Sequence, residues 1–147
     1  MITIRIITAE ASYPVRHEVL RKGKPIDSCR FEGDDLPTTQ HFGLFEDDNL
    51  QGIISVFETS NPLFKETRQK QIRGMAVLEH DQGKGYGKQL VQYCEEVLHH
   101  SDCELIWFNA RENAKGFYQK LGYTIQGTPF NIEGIGIHYV MWKKLSA

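Results

Sequence analysis

The chain has 147 residues, enough for one ordinary domain with a continuous hydrophobic core, and we predict a single domain over residues 1–147. Its content of 40% hydrophobic and 24% charged residues is usual for a soluble globular protein, and its net charge of −2 without a sustained basic face argues against nucleic-acid binding. The longest apolar runs have about four or five residues, far short of the roughly 20 that span a bilayer, so we expect no membrane association.

The cysteines and the N-terminal segment both favour a cytoplasmic protein. Cys29, Cys94 and Cys103 are odd in number and lack the spacing of a metal-ligand set, which predicts reduced thiols and no metal site. Residues 1–8 alternate like a strand and lack the charged segment and long apolar stretch of a signal peptide. We therefore expect a cytoplasmic location.

The first half of the chain begins with a segment that alternates like a strand, and its next segment places Val15, Val19 and Leu20 on one side of a helix. The predicted elements are a strand over 2–8, a helix over Tyr13–Arg21, a hairpin of strands 41–45 and 50–57, and a strand over 71–78. Pro14 would lie in the first turn of the helix, where proline is tolerated. The polar stretch 21–40 predicts mostly loop with a short helical turn.

The second half adds two helices and three strands. Helices are predicted over Gly85–His100 and Ala110–Leu121, and strands over Glu104–Asn109, Tyr123–Gln126 and Ile135–Lys143. The nearly all-apolar strand 104–109 is typical of a central position that is covered on both faces. This order of elements predicts an α/β arrangement around one mixed sheet.

A glycine-rich segment, Gln82-Gly83-Lys84-Gly85-Tyr86-Gly87-Lys88, lies between a predicted strand and a predicted helix. Such a turn presents several backbone N–H groups to one point, and the helix macrodipole adds positive potential there. The segment, which we call the glycine loop, therefore predicts an anion site that is best suited to a phosphate.

Three other interpretations of the glycine loop are a P-loop, a dinucleotide-binding fingerprint and a turn without a ligand. A P-loop needs Ser or Thr after Gly87-Lys88, where this chain has Gln89. A dinucleotide fingerprint needs Gly-x-Gly-x-x-Gly and an acidic residue after the next strand, where Asn109 stands. The third interpretation is a turn without a ligand, although glycines at a helix start cost backbone entropy.

Two motifs, one in the glycine loop and one around residue 118, resemble those of a known family. The loop fits Gln/Arg-x-x-Gly-x-Gly/Ala through Gln82, Gly85 and Gly87. The segment Ala114–Tyr123 fits Ala-x-x-Phe-Tyr-x-Lys-x-Gly-Phe/Tyr. Together they resemble the GNAT superfamily of N-acetyltransferases, in its small stand-alone bacterial form. The resemblance implies an α/β (α+β) fold with a mixed, mostly antiparallel sheet of about 6–7 strands and about four helices.

The resemblance also implies acetyl-CoA as the acyl donor. The glycine loop would hold its pyrophosphate, and the backbone of Met75 and Val77 would bind the pantetheine arm where their strand splays from the next one. The family often has Asn at the position of Arg111, so Arg111 and the neighbouring Asn109 are both candidate contacts. The implied cofactor residues are Met75, Val77, Gln82, Gly83, Lys84, Gly85, Tyr86, Gly87, Lys88, Asn109 and Arg111.

The family's general acid corresponds to Tyr118, which would protonate the leaving thiolate. His138 is a candidate either for catalysis or for the core, and Glu79 and His80 are further candidates for the base. The acceptor, an amine of a small molecule rather than of a protein, would lie near residues 16–39 and 130–138, whose acidic side chains suit a cationic amine. Homodimerisation is common in the family. A GNAT fold that only binds acyl-CoA as a sensor is the alternative.

Overall fold

The computed structural model describes residues 1–145 of the chain. Its helices and strands are β1 (Ile2–Ile7), α1 (Ala9–Leu20), β2 (Gln40–Glu46), β3 (Asn49–Phe57), β4 (Gln69–Val77), α2 (Tyr86–His99), β5 (Leu105–Arg111), α3 (Lys115–Lys120), β6 (Thr124–Ile132) and β7 (Gly136–Lys144). Short 3₁₀ turns cover Ile26–Cys29, Glu79–Asp81 and Glu112–Ala114. No helix of these described residues is long and apolar enough to cross a membrane.

The strands form one seven-stranded sheet in the order β1-β2-β3-β4-β5-β7-β6. It is mostly antiparallel, with a parallel pairing of β4 and β5 at Gln69–Gln71. This confirms the predicted mixed sheet of 6–7 strands. Within the described residues, three α-helices and three 3₁₀ turns stand where about four helices were expected.

One compact unit comprises residues Met1–Glu58 and Ile72–Val97. Strands β1, β2 and β3 pair in sequence, and α1 packs through Val15 against Ile53 and Ala76. Helix α2 buries Leu90 and Val91, as the helical period predicted. The two-residue turn at Asp47-Asp48 joins β2 to β3, and both strands are buried over continuous runs of residues.

The second compact unit comprises residues 59–71 and the chain from Leu98 onward. Its core contains Leu105, Trp107 and Val140, with Phe130 and Trp142 packed against them. Strand β5 is buried from Leu105 to Phe108, which confirms the prediction of a covered central strand. Strand β7 pairs with β5 on one side and with β6 on the other.

Two predicted helices begin at the wrong residue. The first begins at Ala9 rather than Tyr13, because Thr8 Oγ1 accepts a hydrogen bond from the Ala11 N–H at 3.1 Å and caps the helix earlier. Pro14 therefore lies inside α1 and not in its first turn. The second begins at Lys115, since β5 continues its antiparallel pairing with β7 as far as Arg111. In that segment cross-strand pairing outweighs helix propensity.

Candidate active site

The glycine loop follows β4 and leads directly into α2. Gly83 and Gly85 have φ values of +91° and +83°, a left-handed backbone that L side chains rarely adopt. Gln82 Nε2 donates to the Val77 carbonyl at 3.2 Å, which ties the loop to the end of β4. Gly87 lies in the first turn of α2. Glycine is therefore required at positions 83 and 85 by conformation.

The outer side of the glycine loop is open. No atom lies within 4 Å of a Cβ built on Gly83 or on Gly85, so packing does not explain either glycine. The N–H groups of Tyr86, Gly87 and Lys88 precede the first intrahelical hydrogen bond, which runs from the Gln89 N–H to the Gly85 carbonyl at 3.1 Å. The loop thus offers backbone donors and the positive end of the α2 dipole to solvent, which is an anion-binding arrangement.

Charged and phenolic side chains fix the loop on the first compact unit. Lys84 Nζ lies 2.8 Å from the buried carboxylate oxygen Asp81 Oδ1, and this hydrogen bond raises the pKa of Lys84. Tyr86 is buried and its hydroxyl donates to Glu46 Oε2 at 2.6 Å, which raises the pKa of Tyr86. Lys84 and Lys88 are both exposed, but only Lys84 is paired with Asp81 among the described residues. Lys84 and Tyr86 therefore hold the helix start in place, and Lys88 adds a second exposed positive charge.

Strand β4 contains a left-handed residue at Gly74, with φ +64°. A Cβ at this position would lie 3.2 Å from Phe31 Cε2 and 3.4 Å from Arg16 Nε. Both the backbone conformation and the close approach therefore require glycine there. Met75 and Val77, the predicted pantetheine contacts, follow this irregular position. A lone glycine in a strand pattern is the sequence signal that indicates such a site.

A buried ion pair next to Gly74 was not predicted from the sequence. Arg16 is 0% exposed, and its Nη1 and Nη2 donate to Asp34 Oδ2 and Oδ1 at 2.7 and 3.0 Å. The same two nitrogens donate to the Cys29 carbonyl at 2.8 Å and to Ser55 Oγ at 3.1 Å. Arg16 Nε is buried and has no hydrogen-bond partner among the described residues. Arg16 thereby joins α1 and β3 to the loop between α1 and β2.

Asp34 is held as a carboxylate within this network. Burial opposes its ionisation, but hydrogen bonds from Arg16 and from the Phe31 N–H, together with the charge of Arg16, keep the pKa of Asp34 below its usual value. His41 Nε2 lies 2.9 Å from the Asp34 carbonyl. Because Arg16 already pairs with this carboxylate, Asp34 is not available to a cationic acceptor. A cavity of about 600 Å³ lies beside the pair and is lined by residues 30–36.

In the second compact unit, Tyr118 lies in an aromatic cluster. Its ring centroid is 4.3 Å from that of Phe108 and 5.0 Å from that of Phe117. Tyr123 contacts Phe108 from a centroid distance of 4.9 Å, and its N–H donates to the Tyr118 carbonyl at 3.1 Å. Only 7% of Tyr118 is exposed. The Phe-Tyr motif therefore builds a fixed position for one phenol.

Three other predicted site residues lie on two neighbouring strands. Asn109 is exposed on β5, and Arg111, two residues further on, is half-buried on the same face of the strand. Arg111 is the register partner of His138 on β7. His138 is 5% exposed, and its Nδ1 lies 2.8 Å from the Gly136 carbonyl. The fold thus brings Arg111 and His138 together although 27 positions separate them, as the pairing register requires.

The two remaining base candidates lie at the end of β4. Glu79 and His80 are exposed and belong to the 3₁₀ turn before the glycine loop. His80 Nε2 lies 3.1 Å from Gln51 Oε1 and 3.0 Å from Asp81 Oδ2. His80 is therefore engaged by side chains of its own unit.

Comparison with known proteins identifies the family of this chain. The family model for the GNAT acetyltransferase family matches residues 6–123. The chain is 38% identical over 145 residues to the Bacillus subtilis (strain 168) protein described as uncharacterized N-acetyltransferase YitI, covering 99% of this chain and 97% of that protein. The chain belongs to the GNAT acetyltransferase family. This acetyltransferase is therefore an acyltransferase of the EC 2.3.1 type, in a family that uses acetyl-CoA.

Solved structures share the fold of this GNAT acetyltransferase. The ribosomal-protein-S18-alanine N-acetyltransferase of Escherichia coli superimposes with a TM-score of 0.79 at 16% identity, over 100% of this chain and 96% of that one. An aminoglycoside 6'-N-acetyltransferase complexed with coenzyme A superimposes with a TM-score of 0.78 at 15% identity, over 99% and 98% of the two chains. At these identities the likeness concerns the fold alone, so the acceptor must be argued from this chain's own residues.

Proposed function

We propose that this GNAT acetyltransferase moves an acetyl group from acetyl-CoA directly to an amine of a small molecule. The observation that carries the proposal is the glycine loop, in which two left-handed glycines with open space above them lead into α2. A diphosphate suits a site whose donors are backbone N–H groups at a helix start. The coenzyme A complex of the aminoglycoside acetyltransferase shows that a protein of this fold binds that cofactor.

The cofactor residues divide into three roles under this proposal. The glycine loop binds the pyrophosphate through its backbone, and Lys88 adds an exposed positive charge. The backbone of Met75 and Val77 binds the pantetheine arm as an additional strand would, and the Val77 N–H polarises the thioester carbonyl. Asn109 and Arg111 are side-chain contacts to the cofactor. Acetyl-CoA supplies the activated acyl group, and no metal is required for its transfer.

The reaction poses two proton-transfer problems. An alkyl amine with a pKa of about 10.4 must lose a proton before its nitrogen attacks the thioester carbon. As the C–N bond forms and the C–S bond breaks, the leaving sulfur takes up a proton. We assign this second transfer to Tyr118, since a phenol hydroxyl can donate its proton as a general acid. The rigid packing of its ring on Phe108 would fix the position of the donor.

His138 is our candidate to accept the proton of the amine. Its Nδ1 lies 2.8 Å from the Gly136 carbonyl, which can only accept a hydrogen bond, so Nδ1 carries the proton. In the neutral imidazole, Nε2 then has the lone pair that a base needs. Glu79 and His80 are weaker candidates, because both are exposed and His80 is already engaged by Gln51.

Release of free thiol from acetyl-CoA tests the function directly. The purified protein is incubated with acetyl-CoA and a panel of polyamines, amino sugars, amino acids and short peptides, and free coenzyme A is measured with a thiol reagent. We expect release that depends on one class of small amine and an acetylated product of the corresponding mass. Acetyl-CoA binding without release across the panel would instead indicate an acyl-CoA sensor. Nucleotide binding without coenzyme A binding would overturn the family-based cofactor assignment.

A further inference from the structure

Arg73 on β4 has an unusual environment in the first compact unit. It is half-buried and immediately precedes the left-handed Gly74. Its guanidinium carbon lies 4.8 Å from the ring centroid of Phe31 and 5.2 Å from that of Phe57. The two aromatic rings therefore cover the guanidinium without offering it a hydrogen-bond acceptor.

Among the described residues, no carboxylate lies within ion-pairing distance of the Arg73 guanidinium. Asp34, whose charge acts on Arg73, already accepts hydrogen bonds from other residues. Asp34 Oδ2 accepts from Arg16 and from the Phe31 N–H, and Asp34 Oδ1 accepts from Arg16. The donors of Arg73 thus remain unused by the part of the protein that the structure describes.

Positive charge accumulates around one ring in this region. The guanidinium carbons of Arg16 and Arg21 lie 4.0 and 5.3 Å from the Phe31 centroid, in addition to that of Arg73. Burial, and next the charge of Arg16, lower the pKa of Arg73. Within the part of the chain that the structure describes, Arg16 is the one member of this group with a carboxylate counter-ion. A bound anion would satisfy the donors of Arg73 and offset the repulsion between the three guanidiniums.

We propose that the acceptor amine carries a carboxylate or phosphate group and that Arg73 binds this anion. The inference rests on the proposed acetyl transfer and names the class of its acceptor. The planar guanidinium fork matches two oxygens of either group. Phe31, whose ring Arg73 covers, also lines the cavity of about 600 Å³ beside residues 30–36.

The position of Arg73 also limits the size of the acceptor. Arg73 precedes Met75, a proposed pantetheine contact, by two residues, which is at most about 7 Å along a strand. An amine and an anionic group separated by only a few bonds fit this spacing. Amino acids and phosphorylated amino sugars carry both an amine and an anionic group, whereas long polyamines lack the anion altogether.

Two matched pairs of amines test the inference. We compare kcat/KM for an α-amino acid with that for its amide, and for glucosamine 6-phosphate with that for glucosamine. The wild type should prefer the anionic member of at least one pair by about 10–100-fold, the range of a charge-assisted hydrogen-bond pair. Arg73→Gln should abolish that preference, and Arg73→Lys should retain part of it. The pair that shows the preference distinguishes a carboxylate from a phosphate.

Arg5→Gln is the matched control, since the guanidinium carbon of Arg5 also lies over a phenyl ring, 3.8 Å from the Phe45 centroid, but is exposed on β1. This variant should keep the wild-type preference. Turnover of both members of each pair at equal efficiency would overturn the inference and leave the proposed function intact. If no amine is acetylated, the same four amines can be titrated calorimetrically into wild type and Arg73→Gln to test the role of Arg73. Only the wild type should bind the anionic member of a pair more tightly than the other member.

Discussion

Replacement of Asp34 by asparagine should strongly destabilise the protein. The substitution keeps the shape of the side chain but removes the negative charge, so Arg16, which is 0% exposed, keeps a buried charge without a counter-ion. Loss of one partner of a buried ion pair costs about 3–5 kcal/mol of unfolding free energy. For a chain of this size each kcal/mol lowers the melting temperature by about 2–4 °C, so we expect a decrease of roughly 6–20 °C.

Urea and thermal denaturation followed by circular dichroism measure this change. Asp47→Asn is a matched control, because Asp47 also forms an ion pair, with the N-terminal amine at 2.8 Å, but both partners are exposed. The control should leave the melting temperature within experimental error, since exposed pairs contribute little. Equal melting temperatures for the two variants would refute the conclusion that the ion pair of Arg16 and Asp34 stabilises the loop between α1 and β2.

A double variant separates loss of the pair from loss of packing. Arg16→Met combined with Asp34→Leu removes both charges and keeps apolar volume. It should be more stable than Asp34→Asn alone, because no uncompensated charge remains buried. A double variant that is less stable than the single one would show that the hydrogen bonds to the Cys29 carbonyl and Ser55 matter more than the charge balance.

Four further outcomes are expected. Tyr118→Phe should lower kcat by about 10²–10⁴-fold with little change in acetyl-CoA affinity. Tyr123→Phe, a control in the same aromatic cluster, should retain turnover. A loss of acetyl-CoA affinity in Tyr118→Phe as large as its loss of kcat would show that Tyr118 serves packing. Because folding lowers the pKa of Asp34, its ionised carboxylate stabilises the folded protein fully at pH values above the ordinary carboxyl pKa of 3.8. This stabilisation is lost as the pH falls below that value. The unfolding free energy of Asp34→Asn, measured against pH, should therefore lack this contribution. Burial raises the pKa of Cys94 far above its usual value, so the native protein should resist thiol reagents at that residue, as mass spectrometry after alkylation would report. Gly74→Ala should reduce stability by about 1–3 kcal/mol in chemical denaturation, since alanine would have to adopt φ +64° beside Phe31.

Local patterns predicted most of the strands and the glycine loop. Alternation of apolar residues predicted the bounds of β1 to within one residue, and the apolar run from Leu105 to Phe108 predicted a central strand. Gln89 after Gly87-Lys88 excluded the P-loop, and the even spacing of the glycines excluded the dinucleotide fingerprint. These features depend on neighbours in sequence, so a single chain suffices to predict them.

Features that depend on residues far apart in sequence were not predictable in the same way. Arg16 and Asp34 are separated by 18 positions and meet through a loop without regular structure. The late start of α3 depends on pairing of Arg111 with His138, which overrides the helical tendency of residues 110–114. The roles of Tyr118, His138 and the cofactor contacts remain predictions for the experiments above.

Calorimetric titration of acetyl-CoA into wild type, Gly85→Val and Gly127→Val tests the central claim most directly. Both glycines have a left-handed backbone, φ +83° and +76°, and open space around a built Cβ, but only Gly85 lies in the glycine loop. We predict a dissociation constant on the order of micromolar for wild type and Gly127→Val, and a loss of at least about 100-fold in folded Gly85→Val. Unchanged affinity in Gly85→Val, or no binding by the wild type, would contradict the assignment of the glycine loop to the pyrophosphate.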